Sequence, residues 1–465
     1  VASIVLALAV MLSRRDLIRA AGAAFGVAAI GGCAGASSDD DPNSDGGKAD
    51  GGSSQLLAGI DTIVVLCMEN RSFDHYLGSR LLDEGLKVDG LTGDESNPAP
   101  DGSLVSSYRM DQFTTQDIPH TWEACHAQWN SGKNDGFVAQ HAGPNQRDVM
   151  GYHVRQQLPA MYQLADAFSV CDRWHASVMG PTWPNRFFLH GGTSNGKQTN
   201  SPILGFKSIW HLLDEADVSA ENYFHDVPWA ATAFGKLTHN SHVENFFEKA
   251  RAGKLPHYSL IDPQFFGAGA NDDHPDHDPQ LGQALIASIY AALAQSPQWN
   301  RCLFVVTYDE HGGFYDHVAP PKAPGESNAA FQQLGFRVPA IVAGPSVRRG
   351  ATVSTLLDHV SILSTLTRRF ELPSLNARVA NTRDLGSCLE PASRRARPAP
   401  QLDAVEVSLS ALADRPVKVG HHEEIADAAD RRLIPRHLDR RAESMEITHR
   451  VLRHGERLGA VRLVD

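Results

Sequence analysis

Two short apolar runs, each closed by a polar patch, stand out along the chain. Asp61 to Met68 leads into Glu69, Asn70, Arg71, Ser72, Phe73, Asp74 and His75. Cys302 to Tyr308 leads into Asp309, Glu310, His311, Gly312 and Gly313. Both runs are rich in β-branched residues and lack a helical period, so they predict buried strands over 61–67 and 302–308. The pattern also predicts helices over 158–167, 281–297 and 358–370. It predicts strands over 168–172, at the end of 255–261, and over 336–343. Residues 81–108 read as irregular, broken by Gly90, Gly93, Pro98 and Pro100, and 205–252 alternate helix-like segments with polar loops. Pro119 places a short helix start at His120. Pro184 falls in the first turn of a helix ending before Gly191, which puts the Thr182 hydroxyl at the helix mouth beside unpaired amides. A helix running directly into the strand at 302–308 follows βαβ logic and makes the fold class α/β. Ligands of open α/β sheets bind outside the carboxyl ends of strands. The two polar patches therefore read as halves of one site.

The ends differ in character from this middle. Arg14 and Arg15 precede an apolar stretch from Ala20 to Ile30 and then Gly31, Gly32 and Cys33, the pattern of a twin-arginine export signal. Ile30 to Cys33 resembles a lipoprotein signal-peptidase site that would leave Cys33 lipidated as an anchor. Residues 1–33 are expected to be this signal, with the true start at Met11. Residues 34–56, rich in Ser, Asp, Gly and Asn, read as a flexible linker. The catalytic part is expected over 57–386, and 387–465 as a Pro- and Arg-rich extension. Its last stretch, 431–465, has nine arginines against five acids, as a surface-packed helix or a tail would. The expected location is the periplasm or cell envelope, anchored or secreted, reached through the twin-arginine machinery.

Composition narrows the chemistry. The net charge of -12 argues against nucleic acid as a partner. There is no Cys-x-x-Cys, which argues against a structural thiolate zinc site. Cys67 and Cys302 sit inside expected strands as buried thiols, and a disulfide among the remaining cysteines is left open. No Walker loop is present. What remains is a set of oxygen donors, Glu69, Asn70, Thr182, Asp309 and Glu310, among 22 histidines. Carboxylates, an amide oxygen and a hydroxyl suit one hard divalent cation such as Ca, Mg or Mn, and added histidines would suit Zn. A threonine beside such an ion can attack phosphorus, and a histidine can protonate the leaving alkoxide. Taken alone, Glu69 could cap a helix and Thr182 could be an N-cap. Their pairing with Asn70, Asp309 and Glu310 favours the chemical reading. The His- and Asp-rich run at 271–278 would ordinarily be a solvated loop.

Three ordered segments carry a family resemblance: Met68 to Tyr76, Gly180 to Arg186, and Thr307 to Val318. They resemble the bacterial phosphoesterase family, which contains phosphatidylcholine-type phospholipases C and acid phosphatases within the alkaline phosphatase-like superfamily. The resemblance implies a central, mostly parallel sheet with helices on both faces. It implies Glu69, Asn70, Asp309 and Glu310 as metal ligands together with Thr182, and Thr182 as the nucleophile of a phosphothreonine mechanism. His120, His274 and His311 match pocket histidines. Arg71, Asp135, Asn185 and Arg186 are expected to support the ligands, and Trp122 and Trp183 to contact a choline-like head group. Glu310, where the acid phosphatase branch has Asp, favours phospholipid over phosphomonoester. An acid phosphatase and a non-catalytic lipoprotein that binds phosphate compounds remain the alternatives.

Overall fold

The computed structural model describes residues 53–390, 397–408 and 441–464. The expected export signal, Cys33 and most of the expected linker lie outside the described residues. The last linker residues enter a short helix, Ser53–Leu57, whose Leu57 is buried.

The central sheet has eight strands: β1 (Thr62–Met68), β2 (Ser169–Cys171), β3 (Ala220–Phe224), β4 (Asn240–His242), β5 (Tyr258–Asp262), β6 (Cys302–Tyr308), β7 (Ala340–Ala343) and β8 (Ala351–Val353). Their order across the sheet is β8-β2-β7-β6-β1-β5-β3-β4. All but β7 run in one direction, and β7 is antiparallel to both neighbours. The expected mostly parallel α/β sheet, covered by helices on both faces, is thus what the chain forms. Every residue of β1 and β6 is buried, as strands sandwiched between helical layers must be. At about 1.5–3 kcal/mol for each large aliphatic side chain taken from water, these two strands anchor the core.

The helices that matter for the site are α1 (Trp122–Trp129), α2 (Pro159–Ala167), α3 (Thr182–Gly191), α4 (Pro279–Ala294), α5 (Val360–Arg369) and α6 (Arg441–Arg457). Helix α4 packs against α2 and α6, and α3 packs against α5. Helix α6 and a parallel strand pair, Val405–Ser408 with Val461–Val464, bury Val405, Val407, Val451, Leu452 and Val461 in the same hydrophobic core as the sheet. No helix among the described residues is long and apolar enough to cross a membrane.

Three local expectations are corrected. Helix α1 starts at Trp122 with Thr121 as its cap, its hydroxyl accepting from the Ala124 amide, so His120 stands before the helix in extended chain. The strand expected over 336–343 is cut to Ala340–Ala343. Pro339 has no N–H for the ladder, and residues 336–338 bond instead to Trp174 and Ala176. The segment 205–252 contains two strands, β3 and β4, as well as helices: β3 pairs with β5 on one side and β4 on the other.

Candidate active site

The site is built at the carboxyl ends of β1 and β6. These strands are parallel neighbours in a register that pairs Met68 with Tyr308, so Glu69 and Asp309 leave the sheet side by side. Two turns then press together. Asn70 takes φ 56°, a left-handed conformation that Asn tolerates, and Gly312 takes φ 63°. A Cβ on Gly312 would overlap the Asn70 carbonyl, so only glycine lets the turns approach this closely. Asp309 Oδ1 accepts from the Asn70 amide at 3.0 Å and the Glu310 amide at 2.7 Å. Glu310 Oε2 accepts from the Gly312 amide at 2.7 Å.

Thr182 opens α3. Asn185 shapes the approach: its Oδ1 accepts from the Val178 amide at 3.0 Å, and its Nδ2 donates to the carbonyls of Gly180 and Pro181. The Thr182 hydroxyl donates to Glu69 Oε2 at 3.3 Å. The expected row of unpaired helix amides is not there: the Trp183 amide donates to Asn200 Oδ1 at 2.8 Å, and Pro184 has none. One helical turn on, Arg186 reaches back under the sheet ends. Its Nη2 lies 2.6 Å from Glu69 Oε1 and donates to the carbonyls of Cys67 and Met68. Its Nε lies 3.5 Å from Asp309 Oδ2. Burial, with the neighbouring Asp309 charge, pushes the Glu69 carboxyl well up, and Arg186 opposes this.

The 271–278 segment is buried throughout rather than solvated. The Glu69 amide donates to the Asp272 carbonyl at 2.7 Å. Asp272 Oδ1 accepts from the His274 amide and lies 2.6 Å from His277 Nδ1. Burial disfavours the charged His277 ring, but Asp272 and Asp276 outweigh it and raise its pKa to about 9. Arg71 clamps this loop, with Nε donating to the Asp273 carbonyl at 2.6 Å and Nη2 to the His274 carbonyl at 3.3 Å.

The structure brings His120, His274 and Asp117 to the same edge. His120 Nδ1 donates to the Ile118 carbonyl, which turns Nε2 toward Asn70 Nδ2 at 3.3 Å and Glu310 Oε1 at 3.6 Å. His274 Nδ1 lies 2.7 Å from Asp276 Oδ1, and its Nε2 lies 3.8 Å from Asp117 Oδ1. Asp117, His120 and His274 present donor atoms within 4.8 Å of one another, a candidate His/Asp metal-coordinating cluster, and His274, Asp276 and His277 form a second such group. The His311 ring is held between Glu310 Oε2, 3.2 Å from its Nδ1, and Gln128 Oε1, 2.8 Å from its Nε2. Burial and the nearby His120 lower its pKa well below the usual value. Asp135 makes its contact with Asn130, at 2.7 Å, beyond the end of α1. Trp122 lies against Gly180, and Trp183 meets Trp229 edge-on at 5.8 Å; both indoles are partly exposed.

Sequence reasoning missed four residues here. Asp117, Asp272 and Gln128 touch the histidines or Glu69 from other segments, and the His359 Nε2 donates to the Asp309 carbonyl at 2.6 Å. The Asp and His density at 271–278 was the available signal for Asp272. Gln128 and His359 carry none, since their roles depend on which helices meet the sheet.

The donor set fits a divalent cation. Asn70 Oδ1 and Asp309 Oδ2 are buried oxygens that accept no hydrogen bond. Two carboxylates, Glu69 and Asp309, flank one guanidinium, Arg186, and Glu310 follows Asp309 in the same turn, which leaves net negative charge beside the Thr182 hydroxyl.

Comparison with known proteins agrees. The phosphoesterase family model matches residues 60–373. Non-specific phospholipase C6 of Arabidopsis thaliana is 36% identical over 366 residues, covering 70% of each chain. Non-specific phospholipase C3 of the same plant is 35% identical over 378 residues, covering 70% of this chain and 72% of the relative. Phospholipase C A of Mycobacterium tuberculosis is 31% identical over 394 residues, covering 69% and 74%. The chain belongs to the phosphoesterase family, within the alkaline phosphatase-like superfamily, and is a hydrolase homologous to the phospholipases C.

Proposed function

We propose that this hydrolase cleaves phosphatidylcholine-like phospholipids to diacylglycerol and a phosphorylated head group, through a phosphothreonine on Thr182. The observation that carries the reading is the Thr182 hydroxyl 3.3 Å from Glu69, at the joined carboxyl ends of β1 and β6. Glu69, Asn70, Thr182, Asp309 and Glu310 would hold one divalent cation, of the Ca, Mg, Mn or Zn type. When bound, it would supply Lewis acidity toward a phosphate oxygen and lower the pKa of the threonine hydroxyl.

The chain's own residues do the rest. Glu69 Oε2, which accepts from the Thr182 hydroxyl, orients that oxygen for in-line attack on phosphorus, takes its proton as the O–P bond forms and returns it when Thr182 leaves. His274, its Nδ1 held by Asp276, gives a proton to the departing alcohol oxygen, with His120 on the opposite side of Asp117. Water then takes the phosphoryl group from Thr182, with the same histidine accepting its proton. Arg186 and Asn185 fix the geometry, and Trp122 and Trp183, beside the turn that presents Thr182, offer aromatic faces to a quaternary ammonium head group. An acid phosphatase acting on monoesters is the second reading, since the same oxygen donors serve both.

Hydrolysis of phosphatidylcholine vesicles and of an aryl phosphomonoester separates the two. We expect diacylglycerol release, a fall of at least about 10³-fold in Thr182→Ala, and phosphocholine trapped on Thr182 after acid quench. Cleavage of the monoester alone would replace the lipase reading with the phosphatase one. Equal inactivity of wild type and Thr182→Ala would favour a binding protein. Elemental analysis identifies the metal. We further propose twin-arginine export to the periplasm or envelope with a lipid anchor on Cys33. Retention of an Arg14→Lys, Arg15→Lys double variant in the cytoplasm is the expected result, and unchanged export would refute it.

A further inference from the structure

Cys171 closes strand β2 near one edge of the central sheet, and Cys388 closes a single helical turn, Leu385–Cys388, far along the chain. Both side chains are fully buried, and their sulfur atoms lie 3.6 Å apart although 217 residues separate them. The segment carrying Cys388 is fixed against the sheet by its backbone. The Arg348 amide donates to the Cys388 carbonyl at 2.9 Å, the Glu390 amide to the Ser346 carbonyl at 2.9 Å, and Val347 bridges Leu389. The two thiols are thus held together by the fold rather than by chance proximity of loops. Cys67 and Cys302 lie on the adjacent central strands β1 and β6 and are paired with other residues in register, Cys302 with Thr62 and Cys67 with Thr307.

We propose that Cys171 and Cys388 form a disulfide once the chain is in an oxidising compartment. The sulfurs need to close by about 1.5 Å to reach bonding distance, a shift within reach of side-chain rotation. In the reaction one thiolate attacks the disulfide of a small-molecule or protein thiol–disulfide carrier, giving a mixed disulfide and one carrier thiol. The second thiolate attacks the cysteine sulfur of that mixed disulfide and releases the second carrier thiol. Two protein thiols are oxidised, the carrier disulfide is reduced, and two protons pass to the carrier thiols. Because neither thiol is exposed in the folded chain, the exchange takes place before residues 385–390 settle against residues 346–348 or while they are locally open. The closed loop, 171–388, contains Thr182, Arg186, His274, Asp309 and Glu310, so the cross-link restricts unfolding of the segment that carries most of the proposed site. The inference does not depend on which phosphoester is cleaved.

The test refolds the full chain in a mixture of oxidised and reduced glutathione, alkylates remaining thiols, and maps the peptides by mass spectrometry. We expect one cross-linked pair, Cys171 with Cys388, and alkylated Cys33, Cys67, Cys125 and Cys302. The oxidised protein should melt on the order of 5 °C above the same protein in reductant. Cys388→Ser should abolish both the cross-link and the reductant-sensitive shift, while Cys125→Ser keeps both. Should refolding fail, protein recovered from periplasmic expression is mapped the same way. Alkylated Cys171 and Cys388 after either route, or a cross-link between other cysteines, overturns the proposal.

Discussion

Arg186→Met removes the cation that lies under the joined strand ends. Its Nη2 is 2.6 Å from Glu69 Oε1 and also donates to the Cys67 and Met68 carbonyls, and both side chains are 1% exposed. A buried charge pair of this kind contributes little over an apolar pair of the same shape. Deleting one partner, however, leaves the other charge desolvated, at a cost of about 3–5 kcal/mol. Spread over the unfolding entropy of a chain this long, that cost lowers Tm by about 3–5 °C. The assay is thermal unfolding followed by circular dichroism, with chelator present so that no added cation fills the role of the guanidinium. Glu69 is already pushed up by burial and by Asp309, so without Arg186 it binds a proton on folding. The defect should therefore shrink as the pH falls toward 5. Pairing the change with Glu69→Gln should recover about 2 kcal/mol of the loss, because the orphaned charge goes too. Arg186→Lys should recover little, since an ammonium cannot span the carboxylate and both carbonyls. A Tm within a degree of wild type, or strict additivity of the two changes, would refute charge compensation of Glu69 by Arg186.

Gly312→Ala should lower stability by about 3 kcal/mol and reduce turnover together, read as Tm and kcat, because its φ of 63° and the overlap with the Asn70 carbonyl push the two turns apart. His317 lies 2.7 Å from Asp74 Oδ2 and 3.0 Å from Asp89 Oδ1; burial disfavours its charge, but Asp74, with Asp316 behind it, outweighs this and raises its pKa to about 9. A pKa above the unfolded value means stability present in full below about pH 6.5 and lost as pH rises through 9. His317→Gln should then cost on the order of 2 kcal/mol in denaturant titrations at pH 6 and almost nothing at pH 10. His274→Gln should depress cleavage of alkyl phosphoesters far more than of nitrophenyl esters, whose leaving group needs no proton, and an equal loss on both would remove His274 as the general acid.

The two strand ends were legible in the sequence because each is a purely local signal: an apolar run of strand length, stopped by charge. Their pairing was not. That β1 and β6 are neighbours, with Met68 opposite Tyr308, is a matter of sheet order over some 240 residues, and no local pattern encodes it. The same limit hid the reversed strand β7 and misread residues 336–338, whose apolar pattern fits either sheet partner until Pro339 breaks the ladder. It also hid His359, which holds the Asp309 carbonyl from the segment just before α5. For the acidic 271–278 loop, composition pointed to water, yet the loop is buried. Arg71, Tyr308 and the ring of His277 satisfy its carbonyls and carboxylates inside the protein, with Tyr308 donating to Asp273 Oδ2 at 2.6 Å. A polar loop can be internal when most of its groups find partners there. This has a consequence for the site. Glu69 takes its backbone partner from Asp272 and its side-chain partners from Arg186 and Thr182 of α3, two segments distant in sequence. The carboxylate is therefore positioned by the closed fold as a whole, and its geometry should be lost when either of the two segments separates, before the sheet itself unfolds.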